Sequence, residues 1–253
     1  NMYDLHEAIC SGDLERAQEL LGKDDLTTVN AAKASFQKSS QLLNTSEKRL
    51  INFLAKNHET SPFRHSLVSL EVYAPLFTAR QWFKYKVGSR HTEDTEEPIG
   101  LYFGQGDQEG FDDALVAWNE LSRRYLTIAP EFYVPEKWRL APDNKKQGSG
   151  GFLQEQKRYD EIIALLKKNY STGLALYDLL NEEGMAPELN RLFLPSYGLY
   201  ISWRWTASIV SICHFLKERM ADNAQYEIQQ YAQAIHQLVY QIFPESVNKL
   251  LEY

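Results

Sequence analysis

The sequence predicts an α+β protein, a strand-bearing core flanked by helices. Three observations predict it. Between Ser66 and Tyr73, apolar Val68, Leu70 and Val72 alternate with Ser69, Glu71 and Tyr73, the period of a half-buried strand. From Leu153 onward apolar residues recur at helical spacing instead, most clearly as Ile228, Ile235, Leu238, Val239 and Ile242. Of the 253 residues, 43% are hydrophobic and 24% charged, enough apolar surface for a core without disulfides or a structural metal. A sheet with helices packed on it buries both kinds of face.

The elements follow in order. Residues 3–21 read as a helix interrupted at Gly12-Asp13, and residues 1–24 as a helical extension. Helices are expected over Thr27–Phe36 and over Ser46–Lys56, the second capped by Thr45 or Ser46. The strand after Ser66 ends at Pro75, and Ala79–Lys86 reads as a short helix carrying Arg80, Gln81, Lys84 and Lys86. Residues 90–117 are acidic and glycine-rich, a solvated excursion. Asp143–Gly151 reads as a loop within one domain spanning 1–253. Leu153–Glu183 reads as a helix with Gly184 as its C-cap, and Pro187 opens a further helix that Pro195 closes. Trp205–Met220 and Ala224–Phe243 read as the last two, with Pro244 as a stop.

The formal net charge of −7 gives no electrostatic reason for a nucleic-acid partner. An anionic ligand would need a local basic cluster. Cys10 and Cys213 form neither a disulfide framework nor a zinc spacing. A reducing, cytoplasmic location is therefore expected. No stretch approaches the apolar length of a membrane span.

Asn119-Glu120-Leu121-Ser122-Arg123-Arg124-Tyr125 is the richest cluster. In a helical turn Glu120 and Arg124 would share a face. Two guanidinium forks beside a hydroxyl suit a phosphate. Glu and Arg four apart are also a routine surface ion pair, and spacing alone favours that plainer reading. Ser122 has no His or Asp at triad spacing, so it reads as a hydrogen-bond donor rather than a nucleophile.

The neighbouring motifs change the balance. Pro62-Phe63-Arg64-His65, Ala79-Arg80-Gln81-Trp82-Phe83, Pro130-Glu131-Phe132-Tyr133-Val134-Pro135, Asn190-Arg191-Leu192-Phe193 and Asn223-Ala224-Gln225-Tyr226-Glu227-Ile228 follow one another in order. From about Asp25 to Pro244 this set resembles the flavin-dependent thymidylate synthases. Their signature, R-H-R-x-x-S-x-N-E-x-S-x-R-Y, is divided here. Lys84-Tyr85-Lys86-Val87-Gly88-Ser89 matches its first half and Asn119–Tyr125 its second, with residues 90–117 between them as an insertion.

The resemblance implies an α+β domain with a central, largely antiparallel sheet. It implies transfer of a methylene group from methylenetetrahydrofolate to C5 of dUMP, with hydride from reduced FAD and NADPH as the flavin's reductant. A homotetramer with flavin at subunit interfaces is also implied. Position by position, Gln81, Glu120, Ser122, Arg123, Arg124, Arg191 and Arg219 would hold the nucleotide, Arg124 and Arg191 at the phosphate. Arg219 would be the catalytic cation beside the uracil N3/O2 edge, favouring the enolate-like base. It is expected on one face of the Trp205–Met220 helix with Ser208, Ser211 and Phe215. His58, Ser61, Lys84, Tyr85, Lys86, Glu120, Ser208 and His214 would serve the flavin.

The flavin side departs from the pattern. Lys replaces Arg at positions 84 and 86, which loses the bidentate fork, and Tyr85 replaces a His. Ser208-Ile209-Val210 stands where the family has N-A-R, and His214 where an Asn is common. Phage-type members share the Lys at the first signature position, so one expectation keeps FAD. The others are C5 methylation or hydroxymethylation of a different pyrimidine nucleotide, and a non-catalytic uridine-nucleotide-binding relative that has lost flavin.

Overall fold

A computed structural model describes residues 25–83, 117–120, 129–142 and 148–253. Its centre is a three-stranded antiparallel sheet in the order β1-β3-β2. The strands are β1 (Leu67–Pro75), β2 (Ala117–Glu120) and β3 (Tyr200–Ser208). β1 and β3 pair along their whole length, from Leu67 opposite Ser208 to Pro75 opposite Tyr200. β2 covers the other edge of β3, with Glu120 opposite Trp203. The α+β expectation and its antiparallel sheet are borne out.

Alternation decides the two faces. Ile201, Trp203, Trp205 and Ala207 of β3 are buried, as are Val72 and Ala74 of β1. The other face carries Tyr73 opposite Ser202, Glu71 opposite Arg204 and Ser69 opposite Thr206. β3 is a correction. Trp205–Ser208 was expected to be helical, yet its apolar residues repeat every second position, and cross-strand pairing satisfies both backbone edges. The helix begins only at Ile209, where the Ser208 hydroxyl caps it by accepting from Ser211 N at 3.3 Å.

In chain order the main helices are α1 (residues 25–33), α2 (Thr45–Lys56), α3 (Leu76–Trp82), α4 (Gln156–Glu182), α5 (Ile209–Arg219), α6 (Tyr226–Ile242) and α7 (Pro244–Glu252). The expected Ala79–Lys86 helix thus lies earlier, starting directly after Pro75, and residues 84–86 of that expectation fall outside the described residues. So do the expected helix at 3–21 and the excursion expected at 90–117, apart from Ala117, which opens β2. α2 is capped by Asn44, one residue before the expected cap, through Ser46 N and Glu47 N. Asn44 is extended and its carboxamide oxygen reaches both amides, which Thr45, already helical, cannot do. Gly184 ends α4 as expected, with a left-handed φ of 76°. The expected helix from Pro187 to Pro195 is shorter, Pro187–Asn190 followed by a 3-10 turn at Arg191–Phe193. Pro244 ends one helix and opens another, since its missing N–H costs nothing at a helix start. Asp25 caps α7, accepting from Glu245 N and Ser246 N at 2.9 and 3.0 Å.

The core centres on Trp82 of α3. Its ring stacks on Phe215 of α5 at 4.6 Å and meets Trp203 and Trp205 of β3 edge-on at 5.4 and 5.5 Å. These contacts fix α3 and α5 on the buried face of the sheet and leave the Tyr73–Ser202 face open.

Candidate functional site

Glu120 and Arg191 are 71 positions apart in the chain and line one cavity of about 340 Å³ on the open face of the sheet. β2 delivers Glu120 at its last residue, and the 3-10 turn after Pro187–Asn190 delivers Arg191. Tyr73, Glu131, Ser202 and Leu76 complete the wall. Glu120 is still exposed, and partial desolvation in the cavity wall pushes its carboxyl above its ordinary range, against the opposing pull of the Arg191 charge. The Nε–H of Arg191 donates to Glu188 O at 3.2 Å, which leaves its terminal N–H groups for a ligand. Opposite, the Tyr73 hydroxyl donates to Glu131 at 2.5 Å, and the Tyr73 and Tyr200 rings stack at 4.8 Å. One guanidinium, two carboxylates and an aromatic wall suit a phosphorylated, hydroxyl-bearing ring compound. Glu120 ends an extended strand, which corrects the helical-turn reading for that residue. Ser122, Arg123 and Arg124 lie outside the described residues.

Gln81 does not line this cavity. α3 stands between two cavities and gives Leu76 to the first and Phe77 to the second. Gln81 donates its amide to Gln225, which lines the second cavity with Tyr133, Trp138, Arg139 and Glu227. That cavity measures about 330 Å³.

Arg219 is the last residue of α5, half-buried, and lines none of these cavities. The expected shared face is corrected in one member. Ser208 is the cap and not a helical residue, whereas Ser211, Phe215 and Arg219 follow at helical spacing. Ser211 and Phe215 are buried in the core.

His58 and His214 meet at a third cavity of about 140 Å³, with Lys217, Thr60 and Tyr253. His58 holds a left-handed φ of 57°, a conformation uncommon outside glycine. Ser61 opens the 3-10 turn Ser61–His65 and is exposed, outside this lining, and Ser208 is buried with its hydroxyl engaged as a cap. Lys84, Tyr85 and Lys86 fall outside the described residues. The Cys213 thiol also lines the cavity, and burial pushes it up to about 12, so it is not a thiolate nucleophile. No group of metal-ligating side chains occurs among the described residues. No helix among them is long and apolar enough to cross a membrane.

Residues 19–245 match the model of a family described as thymidylate synthase complementing protein. The chain belongs to that family. It is 33% identical over 221 residues to a flavin-dependent thymidylate synthase of Thermus thermophilus, covering 87% of this chain and 69% of the relative. The one from Wolbachia pipientis wMel is 28% identical over 254 residues, covering 100% and 78%. The one from Thermosipho melanesiensis is 29% identical, covering 94% and 90%. Among solved structures, the UMP/dUMP methylase PolB from Streptomyces cacaoi bound with 5-Br UMP superposes with a TM-score of 0.69 at 22% identity, over 90% of this chain and 89% of that one. Its complex with 5-Br dUMP gives 0.68 at 23%. That likeness shows a shared fold.

Within this family member, some lining residues escape motif reading. Tyr73 and Ser202 are ordinary outward positions of strands, and only their register places them together. Glu131 sits in the quoted Pro130–Pro135 motif without a role until the Tyr200 N to Glu131 O bond at 2.9 Å brings it to the sheet. Lys217 lies on α5 one turn after His214, a spacing the sequence does contain.

Proposed function

We propose that this family member converts dUMP to dTMP by reductive methylation at C5 of uracil. Methylenetetrahydrofolate supplies the carbon and NADPH the reducing electrons. The observation that supports it most is the convergence of Glu120 and Arg191 on one cavity. Arg191, with Arg124 by resemblance, takes the phosphate as planar forks. Glu120 faces a sugar hydroxyl or orients an arginine. Ser122 and Arg123 add donors, and Arg219 stabilises negative charge at the uracil N3/O2 edge.

The residues at the third cavity fit a flavin nucleotide in kind. Two imidazoles, an ammonium and a phenol suit a pyrophosphate and a heteroaromatic ring. About 140 Å³ is less than the ~300–1,000 Å³ of cavities that enclose whole ligands, so only part of FAD fits there. Lys84, Tyr85 and Lys86 would hold more of it. When bound and reduced at the expense of NADPH, the flavin would supply the hydride that completes the methyl group.

Gln81 and Arg219 stand away from the Glu120–Arg191 cavity of their own chain. We therefore read the complete site as shared between copies in a homotetramer, in the cytoplasm. A second reading, another pyrimidine nucleotide as substrate, is supported by the fold shared with PolB, which is a methylase of UMP as well as of dUMP.

The protein supplied with FAD should show the oxidised-flavin band at about 450 nm. It should release tritium from C5-labelled dUMP only with methylenetetrahydrofolate and NADPH. Release from UMP alone would favour the second reading. A protein that cannot be reconstituted with FAD would overturn both.

A further inference from the structure

The second cavity holds a chain of hydrogen bonds that none of the proposed roles uses. It starts at Glu227, which is 7% exposed in the first turn of α6. Arg139 donates to both of its oxygens through NH2, at 2.7 and 2.6 Å, and the Tyr133 hydroxyl donates at 2.9 Å. Gln225 donates its amide to Glu227 Oε2 at 2.8 Å. Gln81 then donates its amide to the Gln225 carbonyl oxygen.

The direction of this chain follows from chemistry. An ionised carboxylate only accepts. Gln225 must therefore turn its NH2 toward Glu227 and its carbonyl oxygen away. The group that meets that oxygen must be a donor, so the Gln81 NH2 faces Gln225 and its carbonyl oxygen faces elsewhere. Burial raises the Glu227 carboxyl, but Arg139, Gln225, its own backbone N–H and Tyr133 outweigh this and hold it below its ordinary range. Glu227 thus stays an acceptor at neutral pH.

We propose that Glu227 is a positioning residue, which through Gln225 fixes the orientation in which Gln81 meets the nucleotide. This rests on the reading that Gln81 is a substrate-side residue. A purely structural role would pin the 129–142 segment to α6 through Arg139 and Tyr133 and would not involve Gln225. The relay is therefore separable from the ion pair.

The test is a double-mutant cycle on the FAD-loaded protein, with dUMP affinity read by calorimetry and folding by thermal midpoint. Gln225→Met cuts the relay and leaves the Arg139–Glu227 pair in place. Gln225→Met and Gln81→Met should each weaken dUMP binding about three- to tenfold, the range for one neutral hydrogen bond. The double variant should bind no worse than Gln81→Met alone, with the melting temperature of Gln225→Met unchanged. Glu227→Gln, in which residue 227 can also donate, should match Gln225→Met in dUMP affinity. Wild-type affinity in Gln225→Met beside a weakened Gln81→Met overturns the relay alone, as do additive losses. Wild-type affinity in Gln81→Met overturns the substrate-side reading of Gln81 and the relay with it.

Discussion

Arg191 and Glu120 carry the functional reading at the scale of single residues. A guanidinium that makes charge-assisted bonds to a phosphate contributes about 1.5–3 kcal/mol. Arg191→Ala should weaken dUMP binding about 10- to 100-fold, measured by calorimetry, with little change in unfolding midpoint because the side chain is exposed. An unchanged dissociation constant would remove Arg191 from the site. Glu47 offers a test of stability instead. Lys33 donates to it at 2.6 Å and Ser40 at 2.8 Å, and these bonds hold its carboxyl down to about 2 against an ordinary 4.5. A folded-state pKa below the unfolded one stabilises above about pH 4.5 and loses that stabilisation as the pH falls toward 2. Urea midpoints of the wild type should fall across this window, and those of Glu47→Gln should fall less. Parallel curves for the two proteins would show that Glu47 makes no linked contribution.

Among the elements, α4 positions Arg191 by close approach. A Cβ at Gly173 would lie 2.5 Å from Phe193 O and 2.7 Å from Pro195 Cδ. Gly→Ala in a helix gains about 1 kcal/mol of propensity. Overpacking against backbone and a proline ring costs about 1–3 kcal/mol, so the clash should win. Gly173→Ala should lower stability and, by displacing the Arg191–Phe193 turn, weaken dUMP binding. A more stable variant with normal affinity would contradict this packing. The same scale shows what the sequence makes legible. β1 is readable because one of its faces stays polar, Ser69, Glu71 and Tyr73 alternating with apolar residues. β3 has the same alternation, but Trp205 and Ala207 run directly into Ile209, Ile212 and Leu216. An apolar run of that kind does not reveal where period two becomes period 3.6. The Ser208 cap marks the change, and a hydroxyl at a strand end is a weak signal without the pairing around it. Glu120 and Arg191 are readable only through motif order, since no local pattern links residues so far apart. Tyr73 and Glu131 are not readable together, because only the pairing of β1 with β3 and the Tyr200 N to Glu131 O bond bring them to one place.

For the whole molecule, the division of predicted site residues among separate cavities is the main structural fact. Glu120 and Arg191 share one, His58 and His214 another, and Gln81 joins a third through Gln225. The proposed homotetramer with composite sites would account for this division. Sedimentation should give a mass near four chains. Arg219→Ala and Arg191→Ala proteins, assayed at a dUMP concentration too low for the Arg191→Ala protein to turn over, should regain part of the activity when unfolded and refolded together. Their recovery follows if one site draws Arg219 and Arg191 from different copies, and no recovery would place both residues of a site in one chain. With a net charge of −7, the protein draws an anionic substrate only through such local cationic groups. Affinity for dUMP should therefore weaken with added salt.

The most direct measurement is product analysis. Protein loaded with FAD is incubated with dUMP, methylenetetrahydrofolate and NADPH, and the nucleotides are separated. The account predicts dTMP, formed only when all three reactants are present and abolished in Arg219→Ala. Flavin-loaded protein that binds dUMP and yields no dTMP would contradict it.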